Sequence, residues 1–301
     1  MDLASILALL IQVSIVLVVL GLGLNSSWRD ALYLFGHPGL LLRTLLAMNV
    51  IMPLIAVGFG MAFDLPLAMK MALVALAISP VPPLVSKKEL KAGGYASYAM
   101  GLFFASAVLA IVTVPLAVAW LGSAFERAAE ISPLKVARIV LSSVLLPLAI
   151  GIVVHLSVPG VAKRIARPVA RLGIVLLVVG IVPLAYAFWP AIRALIHNGT
   201  VLIIAAMAAI GLGVGHVLGG PHPDDRTVLA LSTTSRHPAV ALAVAVAGGV
   251  GSKPALAAIL LYVIVAALIS VPYVVWRKRQ AVATHASVAP AVRTPKKAAN
   301  P

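Results

Sequence analysis

The chain has 301 residues, of which 62% are hydrophobic and only 10% are charged, and its mean hydropathy is +1.11. A soluble domain of this size could not cover its surface with so few charges, so the composition predicts an all-α polytopic membrane protein. The absence of cysteine excludes disulfides and thiolate metal sites, and no cofactor is expected. The net charge of +15 is interpreted as basic residues that fix the orientation of the chain in the membrane and contact the lipid bilayer. No nucleic-acid partner is expected.

Apolar runs long enough to cross about 30 Å of hydrocarbon predict nine transmembrane helices. They cover residues 3–24, 39–62, 67–91, 96–121, 135–157, 172–190, 200–219, 227–248 and 254–276. The first run lacks a basic segment and a cleavage site, so we interpret it as a retained span. The transmembrane domain is therefore expected over 1–276, with a polar, disordered tail over 277–301.

The distribution of basic residues predicts the orientation of the spans. An outside N-terminus and a cytoplasmic C-terminus put the basic tail and the loop between the fifth and sixth spans on the inner side. That loop contains Lys163, Arg164, Arg167 and Arg171. We therefore expect a multi-pass protein of a bacterial inner membrane.

The third span is interrupted by Pro80, Pro82 and Pro83. Prolines remove backbone donors and clash with the preceding turn, so a regular helix cannot pass through them. The alternative is a loop between two shorter spans, but the apolar run from Ala68 is too short to cross alone. We predict a helix broken at membrane depth over Ser79–Lys87.

The eighth span has a matching interruption over Ser232–Pro238, where hydroxyl side chains precede Arg236 and His237. A buried Arg should face the bundle interior because its charge is costly in hydrocarbon. Pro238 restricts His237 to extended backbone and marks the break. A helix that begins only after Pro238 is the alternative, and it would be too short to cross.

Spans two to four and seven to nine share the order plain, broken, plain. Each member of the second set comes five spans after its mate, an odd number, so the two sets would run in opposite directions across the membrane. Two interrupted helices at corresponding places predict a secondary transporter built on inverted repeats. Half-helix N-termini there would suit an anionic substrate.

Several short elements occur in a fixed order along the chain. They are Gly21-Leu22-Gly23-Leu24, Asn49-Val50-Ile51-Met52-Pro53-Leu54, Ser79-Pro80, Arg226-Thr227 and Thr234-Ser235-Arg236-His237-Pro238-Ala239-Val240-Ala241. Their order and spacing resemble the bile acid:sodium symporter (BASS, SBF-like) family over about residues 15–276. Ser79-Pro80 stands where that family commonly has Cys-Pro-Gly-Gly, and the last element resembles Gly-x-Gln-Asn-x-x-Leu-Ala.

The resemblance implies a carrier that moves organic anions, often with sodium, by alternating access. It implies a core domain with two crossing, unwound helices, made of the spans within 39–121 and 200–276. The spans of 3–24 and 135–190 would form a panel domain. Members with nine spans lack the first helix of a ten-helix plan, which fits the predicted count.

This sequence departs from the family where sodium would bind. The family uses a Ser-Asn pair after the first break and Glu and Gln at the second. Here the first pair is replaced by Ser86-Lys87, and the residues at the second break are replaced by Ser232, Arg236 and His237. No carboxylate lies in either break. Hydroxyls of Ser86, Ser232 and Thr234 could hold sodium. We expect instead that a fixed positive charge replaces a bound cation, with transport sodium-independent or proton-coupled through His237.

Asn49, beside Pro53, is expected to tie the second helix to the crossing, because polar groups join membrane helices. The candidate substrate- or ion-binding residues are Asn49, Ser79, Pro80, Ser86, Lys87, Ser232, Thr233, Thr234, Ser235, Arg236 and His237.

The expected partners are a small organic anion and the lipid bilayer, with no obligatory protein partner. Another carrier of the same architecture, for a short-chain carboxylate or an auxin-like acid, by proton coupling or uniport, is the alternative. A membrane-embedded enzyme would need a nucleophile and base or paired carboxylates at one depth, and the scattered acids supply neither. A channel would not require two mirrored breaks.

Overall fold

A computed structural model describes residues 3–124, 133–196, 199–247 and 250–288. Every regular element in these ranges is helical, and a short 3₁₀ turn spans Tyr33–Gly36. The α-helices are α1 (Leu3–Gly23), α2 (Trp28–Ala31), α3 (Pro38–Leu45), α4 (Met52–Ala62), α5 (Leu67–Ile78), α6 (Leu84–Lys91), α7 (Ala96–Ala124), α8 (Pro133–Val140), α9 (Leu146–Ser157), α10 (Pro159–Ala187), α11 (Trp189–Leu195), α12 (Thr200–Leu218), α13 (Pro223–Thr234), α14 (Pro238–Ala247) and α15 (Ser252–Val288).

Within these described ranges, six helical segments are long and apolar enough to cross a membrane, so the chain is a multi-pass membrane protein. They are Pro38–Ala62, Ala96–Ala119, Leu134–Ser157, Pro159–Ala187, Thr200–Leu218 and Lys253–Val282. Shorter apolar helical segments cover Leu9–Gly23 and Leu67–Ile78.

Two of the long segments contain a π-helical turn just before a proline. One covers Leu46–Ile51 and joins α3 to α4 ahead of Pro53, and the other covers Leu141–Leu145 and joins α8 to α9 ahead of Pro147. A proline within a helix removes one hydrogen bond and crowds the preceding turn, and a wider turn accommodates both effects. These helices therefore continue past their prolines, although one turn is altered.

Two expected boundaries are wrong. The sixth span, expected to begin at residue 172, lies on α10, which begins at Pro159, so the basic residues 163–171 are helical. Proline at the first position and the Ala and Arg residues that follow favour this early start. The tail expected to be disordered from 277 is helical to Val288, as a continuation of α15. Arg277, where this stretch begins, contacts the start of α13. Its guanidinium donates to the Thr227 hydroxyl at 2.7 Å and the Pro223 carbonyl at 2.6 Å. Residues 289–301 lie outside the described ranges.

Close backbone contacts at glycines hold two groups of helices. The helix α1 packs along α10 and α9, where a Cβ on Gly151 would lie 2.6 Å from the Leu20 carbonyl oxygen. The helix α12 packs along α13, where a Cβ on Gly215 would lie 2.5 Å from Ala230 Cα. Small residues permit this approach in membrane helices. The second contact fixes α13, and with it the approach to the second break.

Candidate functional site

The first break separates α5 from α6 at residues 79–83. Ser79 has extended backbone (φ −77°, ψ 150°), as expected for a residue before proline. Its hydroxyl donates to the Ala75 carbonyl at 2.6 Å, which satisfies an acceptor at the C-terminus of α5. The helix resumes at Leu84, directly after Pro83.

The second break separates α13 from α14 at residues 235–237. Ser235 is extended (φ −101°, ψ 131°), and α14 begins at Pro238. Proline suits a first helical position because its missing N–H has no intrahelical partner there. Both interruptions lie within the expected segments, although each is shorter than predicted.

The two breaks are in direct contact through the second break's donors. The backbone N–H of His237 donates to the Pro80 carbonyl at 2.8 Å. The Arg236 guanidinium donates through Nη1 to the Ser79 carbonyl at 3.1 Å and through Nη2 to the Met48 carbonyl at 3.4 Å. Arg236 and His237 are 4% and 1% exposed, so these bonds form in the protein interior. The expected interior position of Arg236 is confirmed.

The hydroxyl residues predicted for the site differ in their hydrogen-bond partners. Thr233 donates to Leu229 of its own helix, and Thr234 donates to the Ala230 and Ala208 carbonyls at 3.1 and 3.2 Å. Ser235 lines a cavity, whereas the hydroxyl of buried Ser86 has no partner among the described residues. A sodium site formed by Ser86, Ser232 and Thr234 stays a prediction.

Glu89 on α6 brings a carboxylate close to the second break, which the sequence interpretation did not foresee. Its Oε1 accepts a hydrogen bond from the Ser232 hydroxyl at 2.5 Å, and the residue is fully buried. Its other oxygen, Oε2, has no hydrogen-bond partner within the described ranges. A helical spacing of three places Glu89 on the same face of α6 as Ser86. Neither break contains a carboxylate, but Glu89 places one on α6 in contact with Ser232, near the C-terminus of α13.

A cavity of about 270 Å³ lies beside the two breaks. Its polar lining includes Arg236, His237, Ser235 and Lys88, and its other walls are mainly apolar. It is also lined by Ile11, Ile15 and Val18 of α1 and by Leu177 and Ile181 of α10. Lys88 lines it, whereas Lys87, the lysine that we expected at the site, does not. Such a space could hold an apolar body with an anionic group.

Two further residues differ from expectation. Asn49 lines a separate small cavity with Thr44 and Ser106, and none of the hydrogen bonds among the described residues joins it to a break. The second helix instead reaches the crossing through the backbone of Met48. Tyr262 was missed; its hydroxyl donates to the Thr234 carbonyl at 3.0 Å, at the C-terminus of α13. A buried tyrosine hydroxyl needs a hydrogen-bond partner, so a Tyr within an apolar span could have indicated a polar contact at this depth.

Comparisons with known proteins show which sequences the chain resembles. A sequence model of the Sodium Bile acid symporter family matches residues 12–188 of the chain. YocS of Bacillus subtilis (strain 168), described as an uncharacterized sodium-dependent transporter, is 25% identical over 204 residues. That alignment covers 67% of this chain and 61% of YocS.

Proposed function

Because the chain belongs to the Sodium Bile acid symporter family of membrane transporters, we propose that it is a secondary active carrier of amphipathic organic anions. The observation that carries this proposal is the cavity, whose largely apolar walls include the cationic residues Arg236 and Lys88. An apolar substrate body would be removed from water there, and its anionic group would lie near two positive charges.

The proposed transport cycle is alternating access across nine spans. The six long apolar helical segments, α1 and the two interrupted helix pairs would together supply that number. The cavity is lined by α1, α10, α15 and the breaks. Movement of α1 and α10 relative to the breaks would open it in turn to each membrane face. The proposal also includes inverted repeats and the division into core and panel domains. It places the chain in a bacterial inner membrane with the N-terminus outside.

Counterflow in liposomes tests this function, with cholate as the probe because it combines an apolar body with one carboxylate. Purified protein in vesicles loaded with unlabelled cholate should take up labelled cholate from outside and saturate with its concentration. Acetate should compete weakly because it lacks apolar surface to bury. Labelled cholate that is chemically altered would indicate an enzyme, and nonsaturable flux would indicate a channel; either result contradicts the proposal.

Neighbouring lysines provide a matched pair for this assay. Lys88→Gln should weaken cholate binding by roughly tenfold, the effect of losing one charge-assisted contact. Lys87→Gln should leave it within about twofold, since a distant, screened charge contributes little. Ligand-induced thermal stabilisation measures both affinities without a transport step. Equal losses in the two variants would show that the cavity is not where the anion binds.

A further inference from the structure

The crossing gathers carbonyl oxygens that prolines have left without donors. At the first break, Pro80, Pro82 and Pro83 have no N–H, and the C-terminus of α5 carries the negative end of a helix dipole. The Ser79 carbonyl is at this end. An acceptor in that position needs a donor from another segment, because water is scarce at membrane depth.

The second acceptor arises in the π-helical turn of the second helix. There the Met52 N–H donates to Ala47, five residues back. In the same register the Met48 carbonyl would be bonded by residue 53, which is a proline and has no N–H. The Met48 carbonyl is therefore left free by Pro53, just as the Ser79 carbonyl is left free at the first break.

One side chain serves both acceptors. The Arg236 guanidinium donates to the Ser79 and Met48 carbonyls at 3.1 and 3.4 Å, and it is 4% exposed. No carboxylate in the described ranges forms an ion pair with it. A buried positive charge held by backbone carbonyl oxygens resembles a hard metal cation in its ligands, which are oxygen atoms.

We propose that the Arg236 guanidinium is a built-in cation of the crossing, which joins the second break to α5 and to the π-helical turn in place of a bound monovalent ion. The crossing then assembles without sodium, and removal of the guanidinium leaves two carbonyl oxygens that sodium can bind. That the carrier works without sodium rests on the proposed function. That the folded protein is not stabilised by sodium does not rest on it.

Thermal unfolding of the purified protein in sodium or choline chloride, at equal ionic strength, tests the built-in cation. The wild-type midpoint should be the same in both salts. In choline, Arg236→Ala should unfold at a lower temperature than the wild type. In sodium its unfolding midpoint should rise saturably by about 3 °C, the shift expected when the sodium concentration is about ten times the dissociation constant. Arg236→Lys, which keeps a positive charge, should be insensitive to the exchange.

Arg277→Ala is the matched control, because Arg277 is also buried (5% exposed) but donates to α13 away from the crossing. It should lose stability equally in both salts. Saturable stabilisation of the wild type by sodium would overturn the proposal, and this measurement requires no variant to fold. Arg236→Ala with no more sodium response than Arg277→Ala would also overturn it.

Cholate counterflow in sodium-free and sodium-containing vesicles separates this inference from the proposed function. We expect equal rates for the wild type. Counterflow that requires sodium would overturn the built-in cation and leave the carrier function standing. Absence of counterflow in both salts would contradict the carrier function, and the unfolding measurements would then decide the inference alone.

Discussion

The first break and the second break differ in what they offer for hydrogen bonding. The first contains Pro80, Pro82 and Pro83 and so presents mainly acceptors. Its two N–H groups are already bonded: that of Ser79 donates to the Leu76 carbonyl at 3.1 Å, and that of Val81 donates to the Ser106 hydroxyl at 3.3 Å. The second presents the Arg236 guanidinium and the His237 N–H as donors. The partners are therefore complementary, although both helices are interrupted by the same type of residue.

This difference shows how two broken helices can share one buried crossing. Two proline-rich breaks would leave carbonyl oxygens facing each other without donors, at a cost of several kcal/mol for each unsatisfied group in hydrocarbon. A single arginine avoids this cost by spanning from the second break to two carbonyls in different helices. The stability of the crossing therefore depends more on the donors of the second break than on the residues of the first.

The helices that lead into the breaks also differ, and this leads to the largest expected effect. The helix α13 contacts the backbone of α12 at Gly215, whereas α5 contains no glycine and packs through its side chains. Gly215→Val should cost roughly 3 kcal/mol or more, because its Cβ would meet Ala230 Cα at 2.5 Å. Thermal unfolding measures the loss.

Gly213→Val is the control for this prediction. No atom beyond the adjacent residues and nearby backbone of α12 lies within 4 Å of a Cβ built on Gly213, so the same change of residue in the same helix should have little effect on the unfolding midpoint. A similar loss at both positions would indicate a general intolerance of valine in α12 and would remove the argument for a glycine contact beneath the second break.

Beyond the breaks, Glu89 joins α6 to α13 and gives the next largest effect. Glu89→Ala would remove the acceptor of the Ser232 hydroxyl and leave a cavity, at about 2–3 kcal/mol. Glu89→Gln keeps an acceptor oxygen and nearly the same volume, so it should cost less than about 1 kcal/mol. Unfolding midpoints of both variants measure this difference. If Gln proved as damaging as Ala, the carboxyl charge, and not the bond to Ser232, would be the important feature.

The sequence could predict the breaks because the effect of proline is local. It could also predict that Arg236 faces inward, since a charge in hydrocarbon has few alternatives. The roles of Glu89 and Lys88 could not be foreseen, because the phase of α6 depends on how the chain leaves the first break. The role of the Met48 carbonyl could not be predicted from its own side chain, although Pro53, five residues later in the sequence, is the residue that leaves this carbonyl without a donor.

The smallest predicted effect isolates one backbone donor of the second break. His237→Ala removes the ring but keeps the N–H that bonds to Pro80, and His237→Pro removes the ring and the N–H together. Proline is compatible with the extended backbone that Pro238 favours at position 237. His237→Pro should therefore unfold at a lower temperature than His237→Ala, by the equivalent of about 1 kcal/mol, the net value of one hydrogen bond. Equal midpoints would mean that the crossing depends on the Arg236 side chain alone, and the complementarity of the two breaks would then be a property of one residue.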